Sequence, residues 1–367
     1  MSNLTTVIAI VPRLPPAIDG VGDYALNLAR QLRKDFNIHT DFIVGNSTWQ
    51  GALEIEGFTI SQITDNSANT LATLLSSYHC SSPVLLHYVG YGYAQRGCPL
   101  WLVDGLQRWK SLHPKSNLVT MFHELYASGP PWTSSFWLSS LQRELAARLT
   151  KLSDRCITSK QLYADIITQI SQGKHNQVLF LPVFSTVGEP DKLPPNLSER
   201  QQRLVIFGGV SKRERVYRNC LPILNYACQQ LKIKEIWDIG SPTDVTPSFI
   251  GQVPILEKGK QPVDEIRKIF TDSVAGFMDY NPEYLGKSTI FAAYCAYRLL
   301  PINAKGSVAI IDGIEAGKHY WVPDIDRNDL GDQFNWQTIA DHSFDWYQKH
   351  NLLVHKHSFT NQLFTKF

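Results

Sequence analysis

Near-continuous apolar runs recur along this chain, and between them lie segments whose apolar residues fall at helical spacing. Val7 to Val11, Phe42 to Val44, Val84 to Val89 and Leu118 to Phe122 are such runs. A strand that is apolar on both faces must be covered on both faces, which is the condition of a parallel sheet with helices on each side. Helical spacing appears at Val21, Ala25, Leu28, Ala29 and Leu32, and again at Leu138, Leu141, Leu145, Leu149 and Leu152. With short strands expected near Cys156 and Val178 to Leu181, residues 1–185 are predicted to form one α/β domain.

The pattern then breaks and restarts. From about Ser185 to Gln202 the sequence is polar and carries Pro190, Pro194 and Pro195, as an interdomain linker does. Beyond it, strands are predicted at Leu204–Phe207, Glu235–Ile239, Val274–Met278 and Leu299–Ile302, with helices between, so residues 200–340 form a second α/β domain. A length of 367 residues agrees, being too great for one ordinary core. The stretch from Asp332 to Trp346 is predicted helical. Residues 341–367 are expected to pack back toward the first domain.

The formal charge of +2 is nearly balanced, and Lys and Arg are spread without a dense run. No broad nucleic-acid footprint is expected, and any anion must be met locally. The six cysteines (Cys80, Cys98, Cys156, Cys220, Cys228, Cys295) form no CxxC pair, and no histidines cluster at metal-ligand spacing, so reduced thiols and no metal or cofactor are expected. The start of the chain lacks the basic and apolar regions of a signal peptide, and no segment approaches the ~20 apolar residues of a membrane span. A cytoplasmic location is expected, with peripheral contact at a membrane left open.

Three segments carry groups suited to chemistry. In Arg13 to Gly22, between the first strand and first helix, Gly20, Val21 and Gly22 let main-chain amides approach an anion at the carboxyl end of a strand. Gly20, Gly22 and Ala25 also match GxGxxA, but eight residues separate strand from glycine and Asp41 lies at the start of the second strand, so a dinucleotide fingerprint is rejected. A turn that merely starts the helix is the alternative. The second segment is His123-Glu124, past a buried strand and before a Gly129-Pro130-Pro131 turn. Its imidazole could donate to a sugar hydroxyl or serve only structurally, and His87 is a weaker candidate of the same kind.

The third segment is Asn281 to Thr289. Gly286 removes bulk, Ser288 can cap the next helix, and the first amides of that helix, at Ser288 and Thr289, would point at a phosphate with Lys287 beside it. Gly-Lys-Ser-Thr mimics the end of a P-loop, but Asn281 stands where glycine is required. Near Gly208 and Gly209, the cations Lys212, Arg213 and Arg215 could neutralise a diphosphate or form a solvated basic turn. Asp324-Ile-Asp326 resembles a metal-binding DxD, although Pro323 and its charged neighbours favour a surface loop.

Taken together, these segments resemble, over nearly the whole chain, the large retaining family of GT-B glycosyltransferases that includes sucrose and glycogen synthases (glycosyl transferases group 1, family 4). Pro15 to Gly22 matches the family's proline-bearing loop and Gly-Gly-Val type turn, and His123-Glu124 its His-Asp or His-Glu pair. Glu283 matches the first of two glutamates separated by seven residues, and Leu285-Gly286 the Phe-Gly between them. The second glutamate falls on Phe291 and the usual arginine on Gly209, with Arg213 or Arg215 as replacements. The resemblance implies two Rossmann-like domains facing each other across a cleft, and transfer of a sugar from a nucleoside-diphosphate donor to an acceptor hydroxyl with retained configuration. It assigns catalysis to His123, Glu283, Lys287 and Arg213, and donor binding to Gly20, Val21, Gly22, Gly208, Gly209, Lys212, Arg215, Gly286, Ser288 and Thr289. A sugar-nucleotide epimerase of the same architecture and a catalytically weak nucleotide-binding protein are the alternatives.

Overall fold

The computed structural model of the chain describes residues 5–17, 19–127, 132, 134–326 and 335–365. Two compact units divide it: Met1–Pro182 with Leu352–Phe367, and Val183–Asn351.

The first unit runs β1 (Thr5–Val11), α1 (Gly20–Phe36), β2 (Ile38–Val44), β3 (Glu54–Ile55), β4 (Phe58–Gln62), α2 (Ala68–Ser76), β5 (Val84–Tyr88), α3 (Gly90–Tyr93), α4 (Leu100–Leu112), β6 (Leu118–Phe122), α5 (Ser134–Leu152), β7 (Arg155–Thr158), α6 (Gln161–Ile170) and β8 (Leu179–Phe180). The sheet order is β3-β4-β2-β1-β5-β6-β7-β8. Its pairs are parallel except for the β3–β4 hairpin. β5 and β6 are buried at every position, which is why their sequences do not alternate. A C-terminal helix, Leu352–Phe364, packs on α1 and β6 of this unit.

The second unit runs β9 (Gln201–Phe207), α7 (Val210–Asn219), α8 (Leu221–Gln230), β10 (Glu235–Ile239), β11 (Phe249–Ile250), β12 (Val253–Gly259), α9 (Val263–Asp272), β13 (Ser273–Met278), a 3₁₀ helix (Pro282–Lys287), α10 (Thr289–Ala296), β14 (Leu300–Asn303) and α11 (Trp336–Gln348). Its sheet order is β11-β12-β10-β9-β13-β14. The polar stretch 185–202 is tied into this unit rather than loose. Tyr347 Oη accepts from the Ser185 amide at 3.0 Å. Arg200 donates to the carbonyls of Phe270, Ser273 and Tyr297.

In both sheets the first strand is central, and succeeding strands are laid on one side before the chain crosses to the other. The order therefore reverses between β1 and β5 in the first unit and between β9 and β13 in the second. In open α/β sheets the crevice outside the carboxyl ends of strands at such a reversal is where ligands bind.

Candidate functional site

At the reversal in the second unit, β9 ends at Phe207 and the chain turns through Gly208 into α7. Gly208 has φ 131°, and a Cβ there would come 2.6 Å from Ile290 Cδ1, so the turn requires glycine. Gly209, the N-cap of α7, is exposed, and a Cβ on it would meet nothing. A long side chain at 209 is therefore not needed to fill space, and the cations come from the helix that follows.

Those cations divide by helical phase. Arg213 turns inward and is 1% exposed; its Nε donates to Gly208 O at 2.9 Å, and its other nitrogens donate to Asp238 and to Ser241 O. The expectation that Arg213 neutralises a ligand is corrected by this burial: its donors serve an internal carboxylate and two carbonyls. Two positions on, Arg215 keeps 38% of its side chain in solvent and reaches Asp279 Oδ2 at 3.1 Å and Asp279 O at 2.7 Å. Lys212 lies 4.7 Å over the Tyr280 ring. Burial, and after it the charges of Arg215 and Lys287, with Asp279 opposing, push the Lys212 ammonium below its ordinary pKa.

Lys287 ends the 3₁₀ helix, with its Nζ 5.7 Å over the Tyr284 ring. Asn281 caps that helix by accepting from the Glu283 amide at 3.1 Å, and Glu283 is exposed. Gly286 is buried, and a Cβ on it would approach Asp312 Oδ2 to 2.9 Å. Ser288 caps α10 by accepting from the Phe291 amide at 3.2 Å. The Ser288 amide itself donates to Leu285 O at 2.9 Å, so of the two amides expected to face an anion it is already used, while Thr289 heads the helix outside that cap. Phe291 is 0% exposed and packs 5.4 Å from Trp346, so an apolar core surrounds the position aligned with the second glutamate.

Sequence reasoning passed over Asp279, Asn303 and Lys305. Asp279 follows β13 with its side chain 1% exposed, and its Oδ1 lies 2.9 Å from Lys305 Nζ. Asn303, at the end of β14, accepts from the Tyr280 amide at 2.9 Å and donates to Tyr280 O and Lys305 O, joining the two strand-end loops. Polar residues placed directly after predicted parallel strands were the available signal.

In the first unit, Asp19 Oδ1 accepts from the amides of Val21 at 2.9 Å and Gly22 at 3.1 Å. The amides of Val21 and Gly22, expected to meet an anion, thus already meet a carboxylate of their own chain. Gly22 is needed for packing, since a Cβ would fall 2.1 Å from Arg13 O, while one on Gly20 would meet nothing within 4 Å. Asp23, in the first turn, is pushed up to about 6 by burial and then by Asp19, with Arg30 opposing.

His123, after β6, is buried; its Nε2 lies 3.1 Å from His87 Nδ1, with the rings stacked. Tyr24 of α1 meets both imidazoles edge-on, and its hydroxyl lies 2.8 Å from His355 Nδ1 of the C-terminal helix. His355 Nε2 lies 2.9 Å from Pro182 O, so Nε2 donates and Nδ1 accepts the Tyr24 proton. Burial holds His87 down at about 3 and His355 at about 4. The Gly129-Pro130-Pro131 turn lies outside the described residues.

All six cysteines are unpaired thiols. Asp324 and Asp326 are exposed in a turn, where the Asp326 amide donates to Asp324. Among the described residues no group of three His, Cys, Asp or Glu could hold a metal ion, and no helix is long and apolar enough to cross a membrane.

No family model and no curated protein matches the sequence. Solved structures do match in fold. The α,α-trehalose-phosphate synthase (UDP-forming) from Burkholderia vietnamiensis superposes with a TM-score of 0.62 at 10% identity, covering 98% of this chain and 97% of that one. An alpha-glucosyltransferase in complex with UDP-glucose and DNA gives 0.59 at 11% identity, covering 97% and 98%. A lipopolysaccharide outer core galactosyltransferase gives 0.57 at 12% identity, covering 99% and 100%. The chain has the GT-B fold.

Proposed function

We propose that the protein is a glycosyltransferase that moves a sugar from a nucleoside-diphosphate donor to an acceptor hydroxyl with retention of configuration. The observation that supports this most is the group of cations Lys212, Arg215 and Lys287 at the β9–β13 reversal of the second unit, in a chain with the GT-B fold. UDP-glucose and UDP accompany several similar structures, which favours a uridine donor.

In this reading the protein supplies no nucleophile. The leaving diphosphate takes the acceptor's proton on the face it departs from, and the protein stabilises the charge that develops. Lys287 and Arg215 are its principal donors, with Lys212 and the Thr289 amide beside them, and Gly208 and Gly209 let the main chain come close. Glu283 contacts the sugar. In the first unit, His123 is assigned to a sugar hydroxyl. A glycan, polysaccharide, glycoconjugate or nucleic acid could each present the acceptor hydroxyl.

The test is incubation with UDP-, GDP- and ADP-sugars and a panel of hydroxyl acceptors, following diphosphate release and the anomeric coupling of the product by NMR. A glycoside of the donor's own configuration supports the proposal. An inverted product contradicts retention, and conversion of donor alone into an isomer identifies an epimerase instead.

A further inference from the structure

One carboxylate in the second unit is shared by two cations that arrive from different elements. Asp279 Oδ2 faces Arg215 of α7 at 3.1 Å, while Oδ1 faces Lys305, in the loop after β14, at 2.9 Å. The carboxylate is sealed from solvent, yet Lys305 keeps 54% of its side chain exposed and Arg215 38%. Both cations are thus held at their inner edges and open at their outer ones. The Lys305 loop is also fixed at its root, because Asn303 Nδ2 donates to Lys305 O at 2.7 Å.

A single cation would already compensate a buried carboxylate, so the second leaves the cluster positively charged. Lys212, Arg215, Lys287 and Lys305 against Asp279 give an excess of three charges, enough for the two phosphates of a nucleoside diphosphate. Long exposed cations ordinarily lose rotamer freedom when they bind an anion; a buried anchor removes part of that loss beforehand.

We propose that Lys305 is a further ligand of the donor's diphosphate, and that Asp279 is the positioning residue that holds Lys305 and Arg215 ready for it. This rests on reading the β9–β13 end as the donor site.

Titration calorimetry with UDP, GDP and ADP, and with the matching monophosphates, tests the statement about Lys305, on which the one about Asp279 depends. Lys305→Ala is expected to weaken the diphosphate that binds the wild-type protein about tenfold or more, to affect its monophosphate less, and to leave the unfolding midpoint unchanged. Lys305→Arg is expected to restore most of the loss. Because Asp279→Asn breaks a buried pair and can compromise folding, the Lys305 series decides. Diphosphate affinity within twofold of wild type in Lys305→Ala, or an equal loss for the monophosphate, overturns the inference and leaves the donor-site reading standing. A wild-type protein that binds none of the three diphosphates overturns that reading as well.

Discussion

Arg213 and Asp238 form an ion pair sealed from solvent, in which Tyr217 Oη also donates to the carboxylate. Such a pair need not add much stability relative to an apolar pair, but removing one partner strands a buried charge. Arg213→Ala is expected to cost about 3–5 kcal/mol, read from urea unfolding. Arg215→Ala, on the solvent side of the same helix, leaves Lys305 against the buried Asp279 and should cost less stability than Arg213→Ala. Its effect should fall on turnover instead. Equal destabilisation by both variants would contradict the inward and outward assignments.

The two glycines before α1 predict different outcomes. Gly22→Ala drives a Cβ into the Arg13 carbonyl and should cost about 1–3 kcal/mol in unfolding free energy. Gly20→Ala meets open space in the helix's first turn and should be neutral or slightly stabilising.

Asp23 makes its own pH signature. Its folded carboxyl, pushed up to about 6, holds a proton that the unfolded chain releases near 4, so stability falls as pH rises through that window and stays lower above it. Asp23→Asn removes this loss. The variant should exceed wild type by roughly 1–3 kcal/mol at pH 7.5 and by almost nothing at pH 4 in chemical unfolding.

His355 acts with the opposite sign. Folded at about 4 and ordinarily near 6.5, it takes up a proton first in the unfolded chain, so its contribution is present above 6.5 and is lost as pH falls toward 4. Protonation would also put a proton on Nδ1, where the Tyr24 hydroxyl now donates. His355→Gln should lower stability at pH 7 and flatten its decline between pH 6.5 and 4. A decline as steep as wild type's would show that His355 does not carry it.

Much of the fold was legible because burial on both faces leaves an unalternating trace: Leu118–Phe122 coincides with β6, and Val274–Met278 falls within β13, both buried at every position. β12 left no such trace, since most of Val253–Gly259 keeps some exposure, and it was missed. The site was less legible. Arg213 and Arg215 stand two residues apart on one helix, a rotation of about 200°, and only packing shows which of them points inward. Asp19 was readable as an N-cap by its residue type. Asp279 and Lys305 lie 26 positions apart, and only the adjacency of β13 and β14 brings them together.

A crystal structure with a bound nucleoside-diphosphate sugar tests the central claim most directly. The account predicts the diphosphate within hydrogen-bond reach of Lys287 and Arg215, outside the ends of β9 and β13. A diphosphate held elsewhere, with both of those side chains free of it, would contradict the account.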